Sequence, residues 1–183
     1  MRTYVRAMFK RLRLLAAVTV ASIASLAASG EQSEAVAATC ASATARPSAT
    51  LCLINAQRHS HGLRALRLNA RLSRAARAHS RDMVGRHYFS HSTHEGLTFA
   101  DRIRGTGYLR ASRQWLVGEN LAWGWRDRGS AGRIVRAWMH SPPHREVMLN
   151  PAFREVGIGI VSGVPRPLPP GGATYTADFG VRR

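Results

Sequence analysis

Apolar residues in the first half of the chain recur every three or four positions, which is the spacing of an α-helix. Leu51 and Ile54 begin such a pattern and Gly62 stops it, so a first helix is predicted over residues 50–61. After an extended link, a second helix is predicted over residues 70–86, with small alanines that allow close approach to a sheet. Its inward stripe consists of Leu72, Ala75, Ala76, His79 and Met83. His79 is therefore predicted to be a packing residue.

The second half of the chain mixes helical and alternating patterns. A third helix is predicted over 98–104 and a fourth after Ser130, ended by Pro142 and Pro143 and followed by a helical turn over 144–149. Residues 156–161 and 174–179 alternate or are β-branched, so they are predicted to be strands. Helices early and strands late indicate a layered α+β domain.

The N-terminus has the parts of a secretory signal peptide. Residues 1–13 hold five basic residues and no acid, and an apolar run extends from Leu14 to Ala28. This run is shorter than the roughly 20 residues that a membrane-spanning helix needs. Residues 1–29 are therefore predicted to be a signal peptide, with cleavage as late as residue 37. A retained membrane anchor is the alternative, and no later segment is apolar enough to span a membrane.

Between this segment and the first helix, residues 30–48 are rich in Ala, Ser, Thr and Glu and are predicted to be a flexible linker. The ordered domain is then expected over residues 49–183. The chain has two cysteines, Cys40 and Cys52, and both remain after export. In an oxidising compartment this pair predicts one disulfide, which would attach the linker to the first helix.

The chain is strongly basic, with 27 Lys and Arg residues against 10 Asp and Glu residues. Removal of residues 1–29 leaves 22 basic and 10 acidic residues, a formal charge of +12. Such a charge favours anionic partners, including cell-envelope polymers and lipid head groups. The arginines are scattered along helix faces and form no single tract, so specific nucleic-acid binding is not indicated.

Three segments carry the candidate chemistry. The first is YFSHS at 88–92, which contains His91 and follows the second predicted helix. The second is GENLA at 118–122, which contains Glu119 and is predicted to be a loop between tryptophans. The third is AWMHSPPHR at 137–145, which contains His144 and is followed by LNPAFREVGIG at 149–159.

Taken together and in this order, these segments resemble the bacterial branch of the CAP superfamily of cysteine-rich secretory, antigen and plant pathogenesis-related proteins. The opening LINAQR at 53–58 and the closing YTADFG at 175–180 are also similar to that branch, so the resemblance covers residues 50–181. It implies a three-layer α-β-α sandwich with a cleft that holds two histidines and two acids.

The resemblance also implies which residues line this cleft. His91 matches the first histidine of the family, Glu119 the acid of its Gly-Glu-Asn motif, and His144 the second histidine. Ser141 occupies the position of the second acid, and no Asp or Glu is nearer to that position than Glu146. An activity that needs both carboxylates is therefore not favoured.

Two imidazoles and a carboxylate support two kinds of site if the fold brings them together. With His91, Glu119 and His144 as ligands, they can bind zinc or another divalent cation and leave one position open for water. They can also form a metal-free hydrogen-bonded network in which a histidine titrates near neutrality. The sequence contains neither His-Glu-x-x-His nor Gly-x-Ser-x-Gly, which are the signatures of zinc metalloproteases and of α/β-hydrolases.

The leading hypothesis is a secreted, monomeric binding domain that captures a lipid, a sterol or a cell-envelope component, with or without a divalent cation. It assigns no catalytic residue. The alternative is a metal-assisted hydrolase of peptide or envelope material, with Glu119 as ligand or general base. A basic adhesive coat protein without cleft chemistry is the third possibility.

Overall fold

The computed structural model describes Cys40 and residues 46–183. The predicted signal peptide lies outside the described residues, as does most of the predicted linker. The predicted end of the linker is wrong, since residues 46–48 are already helical. Pro47 is the physical reason, because proline is well tolerated in the first turn of a helix. In the described part of the chain, no helix combines the length and apolarity that crossing a membrane requires.

The helices follow the predicted order with shifted bounds, and two of the four strands, the third and the fourth, were predicted. The helices are α1 (Arg46–Ser60), α2 (Ala70–Gly85), α3 (Phe99–Gly105), α4 (Ala131–His140) and α5 (Pro142–Met148), with a 3-10 turn at Arg126–Gly129. The strands are β1 (Arg67–Leu68), β2 (Trp115–Gly124), β3 (Glu155–Ser162) and β4 (Ala173–Arg182). The prolines that end α4 also begin α5, because the first turn of a helix needs no backbone N–H donors.

The strands form one mixed sheet in the order β1-β3-β4-β2. β1 runs parallel to β3, whereas β4 pairs antiparallel with both β3 and β2. The prediction of a loop around the GENLA segment is wrong, because this segment lies in the middle of the ten-residue strand β2. β2 is an edge strand, so a site built on it can be reached from outside the sheet.

Helices cover both faces of the sheet, which confirms the predicted three-layer sandwich. The main hydrophobic core lies on the face covered by α1, α4 and α5, and includes Ile54, Trp138 and Phe179. A smaller cluster on the opposite face joins α2 to α3 through Leu72 and Ile103. Glu119, Thr176 and Asp178 also point to that second face, and the candidate site lies among them.

Two glycines of β3 let α2 pack directly on the sheet. A Cβ atom added to Gly157 would lie 2.0 Å from the carbonyl carbon of Leu72, and one added to Gly159 would lie 2.2 Å from that of Ala76. These separations are far below van der Waals contact, so no side chain fits between the strand and the helix. This close approach fixes the distance between the second face of the sheet and α2, and with it the position of the loop that follows α2.

The disulfide between Cys40 and Cys52 is present, with a Cα–Cα distance of 5.5 Å. Cys40 is fully buried, and Cys52 lies in α1. The prediction of one disulfide that attaches the N-terminal segment to the first helix is therefore confirmed.

Candidate functional site

Glu119 is the centre of the site. It lies in β2, opposite Asp178 of β4, and its side chain is fully buried. Because residues that are paired across a sheet point to the same face, Glu119 and Asp178 share a face. Gly157 of β3 pairs with Asp178 and contacts α2, so this is the face that α2 covers.

His91 contacts Glu119 directly. Its Nδ1 atom lies 2.7 Å from Glu119 Oε1, although the two residues are 28 positions apart in the chain. An ionised carboxylate can only accept hydrogen bonds, so the proton of this contact is on Nδ1. The His91 side chain is 55% exposed. The buried carboxylate therefore fixes one ring nitrogen, and the exposed imidazole keeps Nε2 for a partner.

Arg102 of α3 neutralises the other oxygen of Glu119. Its Nη2 donates to Glu119 Oε2 at 2.5 Å, and its Nη1 donates to the backbone carbonyls of His91 at 2.8 Å and Leu97 at 3.2 Å. The side chain is only 8% exposed. One guanidinium thus anchors the buried carboxylate and two backbone carbonyls of the loop that carries His91.

Asp178 of β4 is a second buried acid next to Glu119. It is fully buried, and neither of its oxygens has a hydrogen-bond donor among the described residues. Burial, followed by the charge of Glu119, raises the pKa of Asp178 well above its usual range, and Arg102 opposes this rise only in part. Beside the ion pair of Glu119 and Arg102, the site therefore contains a second buried acid, and its surroundings favour the protonated form.

His79 supports the His91 loop from α2. It is buried, as predicted, and its Nε2 donates to the carbonyl oxygen of Ser90 at 2.8 Å. Burial is the largest influence on its pKa, which is lowered in spite of the nearby charge of Glu119. His79 thus acts as a neutral donor that holds the segment directly before His91.

His144 reaches the site from the opposite side of β2. Asn120 donates from Nδ2 to the carbonyl oxygen of His144 at 2.9 Å, which ties α5 to the strand. Because neighbouring strand residues point to opposite faces, His144 and Glu119 flank the edge strand. Burial, and then the nearby charge of His91, lowers the pKa of His144. His144 is therefore within electrostatic reach of His91.

Ser141, which the resemblance aligns with a second acid, belongs to the His144 side of the site. Its Oγ lies 2.7 Å from His144 Nδ1. Asn120 is structural, as predicted, but it acts from a strand and not from a turn. The predicted residues His91, Glu119, His144 and Ser141 therefore lie around one stretch of β2.

The residues present do not supply the predicted three-ligand metal set. Both oxygens of Glu119 are engaged, one by His91 and one by Arg102. Within residues 46–183 and Cys40, no group of three or more His, Cys, Asp or Glu side chains is arranged to hold a metal ion. The described side chains form a hydrogen-bonded network around Glu119, with His91 on one oxygen and Arg102 on the other.

Two members of this network were not found from the sequence. Arg102 is one of many arginines, and no local signal separates it from the others. In the sequence, Asp178 is part of the closing strand and belongs to no candidate motif. Its signal was a charged residue between Ala177 and Phe179 in a strand that has buried residues on both faces.

Comparison with known proteins assigns the domain to a family. The family model described as "CAP: Cysteine-rich secretory protein family" matches residues 51–166. The chain belongs to the CAP family. The match ends before β4, so Asp178 lies outside it.

Bacterial CAP relatives share about a third of their matched residues with this domain. The chain is 32% identical over 127 residues to YkwD of Bacillus subtilis (strain 168), across 69% of this chain and 44% of that protein. It is also 32% identical over 110 residues to YlbC, a membrane protein of the same organism, across 60% of this chain and 30% of that protein. The chain thus spans less than half the length of either relative.

Solved structures share the CAP fold. An extracellular protein containing an SCP domain from Bacillus anthracis str. Ames superposes with a TM-score of 0.59 and 27% identity, over 73% of this chain and 39% of that one. An outer surface protein from Borrelia burgdorferi superposes with the same TM-score of 0.59 at 22% identity, over 73% of this chain and 90% of that one. The likeness to the Borrelia protein shows the fold alone.

Proposed function

We propose that this CAP domain is an exported binding domain that captures a lipid, a sterol or a cell-envelope component in the cleft over His91 and His144. The observation that carries the proposal is the contact between His91 and Glu119. A fully buried, charge-neutralised carboxylate holds an exposed imidazole by one nitrogen and leaves the other to a ligand. Since buried ion pairs contribute little net stability, a positioning role accounts for this arrangement better than a stabilising role.

The surroundings of His91 indicate a ligand that is partly apolar. Phe89 is 44% exposed and Leu97 is 50% exposed, and both lie in the segment that carries His91. An imidazole next to exposed apolar side chains suits an amphiphile that pairs one polar group with a hydrophobic body. The basic surface adds attraction to anionic envelope polymers or lipids, which weakens with added salt.

Export is part of the proposal. The disulfide suits an oxidising compartment, and one solved CAP relative is described as extracellular. The predicted signal peptide would direct the chain there. The proposal treats the exported domain as a monomer.

The geometry favours binding over hydrolysis. A hydrolase would need Glu119 to bind a metal or to accept a proton, but both of its oxygens are already hydrogen-bonded. In this proposal, a divalent cation would be bound only by the imidazoles of His91 and His144, with water as its other ligands. Two protein ligands imply weaker binding than in a three-ligand zinc site.

The experiment follows backbone amide shifts of the mature domain during titration with three probes. These are anionic phospholipid vesicles, a soluble sterol sulfate and muropeptides. At least one probe is expected to shift the amides of residues 88–98 and of α5, and the double variant His91→Ala/His144→Ala should lose this response. His59→Ala, which changes an exposed histidine of α1, is the matched control and should respond like the wild type. Failure of all three probes, or an unchanged response in the double variant, would contradict the proposal.

A further inference from the structure

The buried carboxyl group of Asp178 has no role in the ligand contact described above. As a carboxylate it would have no donor for either oxygen among the described residues, and it would add a second negative charge to a closed space. An unpartnered buried charge of this kind is strongly unfavourable. As a carboxylic acid it has an acceptor at hand in Glu119, its partner across the strands.

The charges around Asp178 balance only if it is neutral. Glu119 faces it from β2, the charge of Arg102 acts on it from α3, and the neighbouring position on β3 is Gly157. His79 of α2 interacts with the same two charged groups, Glu119 and Arg102. Arg102 neutralises one carboxylate, which is already its hydrogen-bond partner. His79 is kept neutral by burial. One proton must therefore be shared by the two acids for the buried cluster to carry no net charge.

We propose that Asp178 is a positioning residue that stays protonated and donates its carboxyl hydrogen to Glu119. This rests on the proposed function in one respect, namely that His91 contacts the ligand. With Asp178 as donor, Glu119 receives hydrogen bonds from three sides: His91 Nδ1, Arg102 Nη2 and the Asp178 hydroxyl. The carboxylate keeps its charge and orientation, and His91 presents Nε2 outward as an unprotonated acceptor.

A first test uses the ligand-free domain, so its result does not depend on the proposed function. Urea unfolding is measured between pH 5 and pH 8 for the wild type, Asp178→Asn and Thr176→Val. The asparagine keeps a donor and cannot ionise. Thr176 is a buried residue on the same face of β4 that bonds to Ser80, outside the cluster, and serves as the control.

The expected signature is a pH dependence that only Asp178→Asn removes. A group with a raised pKa in the folded state contributes stability at low pH that is lost as the pH rises. The folding equilibrium constant of the wild type should therefore fall, relative to Asp178→Asn, by up to tenfold for each pH unit above the ordinary aspartate range. The ratio of Thr176→Val to wild type should stay constant. A constant ratio for Asp178→Asn would overturn the proposal.

A second measurement uses only the wild-type protein, so it can be made even if Asp178→Asn does not fold. The chain contains four aspartates, and Asp178 is the buried one. Infrared spectra of wild-type protein labelled with ¹³C at the aspartate carboxyl carbon should show one protonated carboxyl group at pH 7. A spectrum with carboxylates alone would overturn the proposal.

A third measurement connects Asp178 to the histidine. In Asp178→Leu, Glu119 loses one donor, and the Nδ1 proton of His91 should exchange with water at least tenfold faster than in the wild type. Asp178→Asn should restore the wild-type rate. Equal rates in all three proteins would show that Asp178 does not position the ring.

Discussion

Replacing Arg102 with methionine is expected to destabilise the domain strongly, because the buried carboxylate of Glu119 then loses its counter-ion. Arg102 is 8% exposed and Glu119 is fully buried, so solvent cannot replace the lost partner. Breaking a buried ion pair by removing one member costs about 3–5 kcal/mol. The methionine keeps most of the apolar stem, so the loss reports mainly on the charge and its hydrogen bonds.

The assay is urea denaturation of the disulfide-intact domain at pH 7, followed by circular dichroism. Arg104→Met is the matched control on the same helix, because that side chain is 56% exposed and pairs with an exposed aspartate. Its effect should be much smaller. Hydrogen exchange should also rise over residues 91–97 in Arg102→Met alone, since the carbonyls of His91 and Leu97 lose their donor.

A double variant sharpens the test. Glu119→Gln removes the charge that Arg102 neutralises, so Arg102→Met combined with Glu119→Gln should lose less stability than the two single changes added together. The reasoning is refuted if Arg102→Met destabilises the domain no more than Arg104→Met does. Strict additivity in the double-mutant cycle would refute it as well.

Three further changes test other parts of the structure. Gly159→Ala should cost about 3 kcal/mol or more in urea unfolding, because the new Cβ would meet the backbone of α2 at 2.2 Å; Gly132→Ala, with open space at its Cβ, should not destabilise, and equal effects would contradict the packing account. Reduction of the Cys40–Cys52 disulfide, which joins residues 12 positions apart, should lower the free energy of unfolding by about 3 kcal/mol, and an unchanged melting curve in reductant would argue against it. Because burial lowers the pKa of His79, the wild type should lose stability as the pH falls below 6.5, and His79→Gln should lose less; parallel pH profiles would show that the ring does not titrate with folding.

The sequence predicted those parts of the fold in which the buried residues are apolar and the exposed residues are polar. The stripe of α2 and the alternation of β3 are of this kind, and both elements lie where the pattern placed them. β2 was missed because Glu119 and Asn120 are polar residues in buried positions. Two adjacent polar residues favour a loop when only the sequence pattern is considered. Their hydrogen-bond partners in the folded chain make them compatible with a buried strand.

The same limit applied to the site. Resemblance to a family identified His91, Glu119 and His144, each within its own local motif. Arg102 and Asp178 meet Glu119 through helix packing and strand pairing, which involve residues 17 and 59 positions away from it. Nothing in the local sequence records such contacts, so the ion pair and the second acid became visible only in the folded chain.

The central claim is that the buried Glu119 carboxylate fixes the exposed ring of His91 through Nδ1. Ring-nitrogen NMR shifts of the ¹⁵N-labelled domain at pH 8 test this directly, because the two neutral tautomers of imidazole have distinct spectra. The account predicts that His91 carries its proton on Nδ1, and the exposed His59 provides the reference spectrum. A His91 spectrum with the proton on Nε2, or one indistinguishable from that of His59, would contradict it.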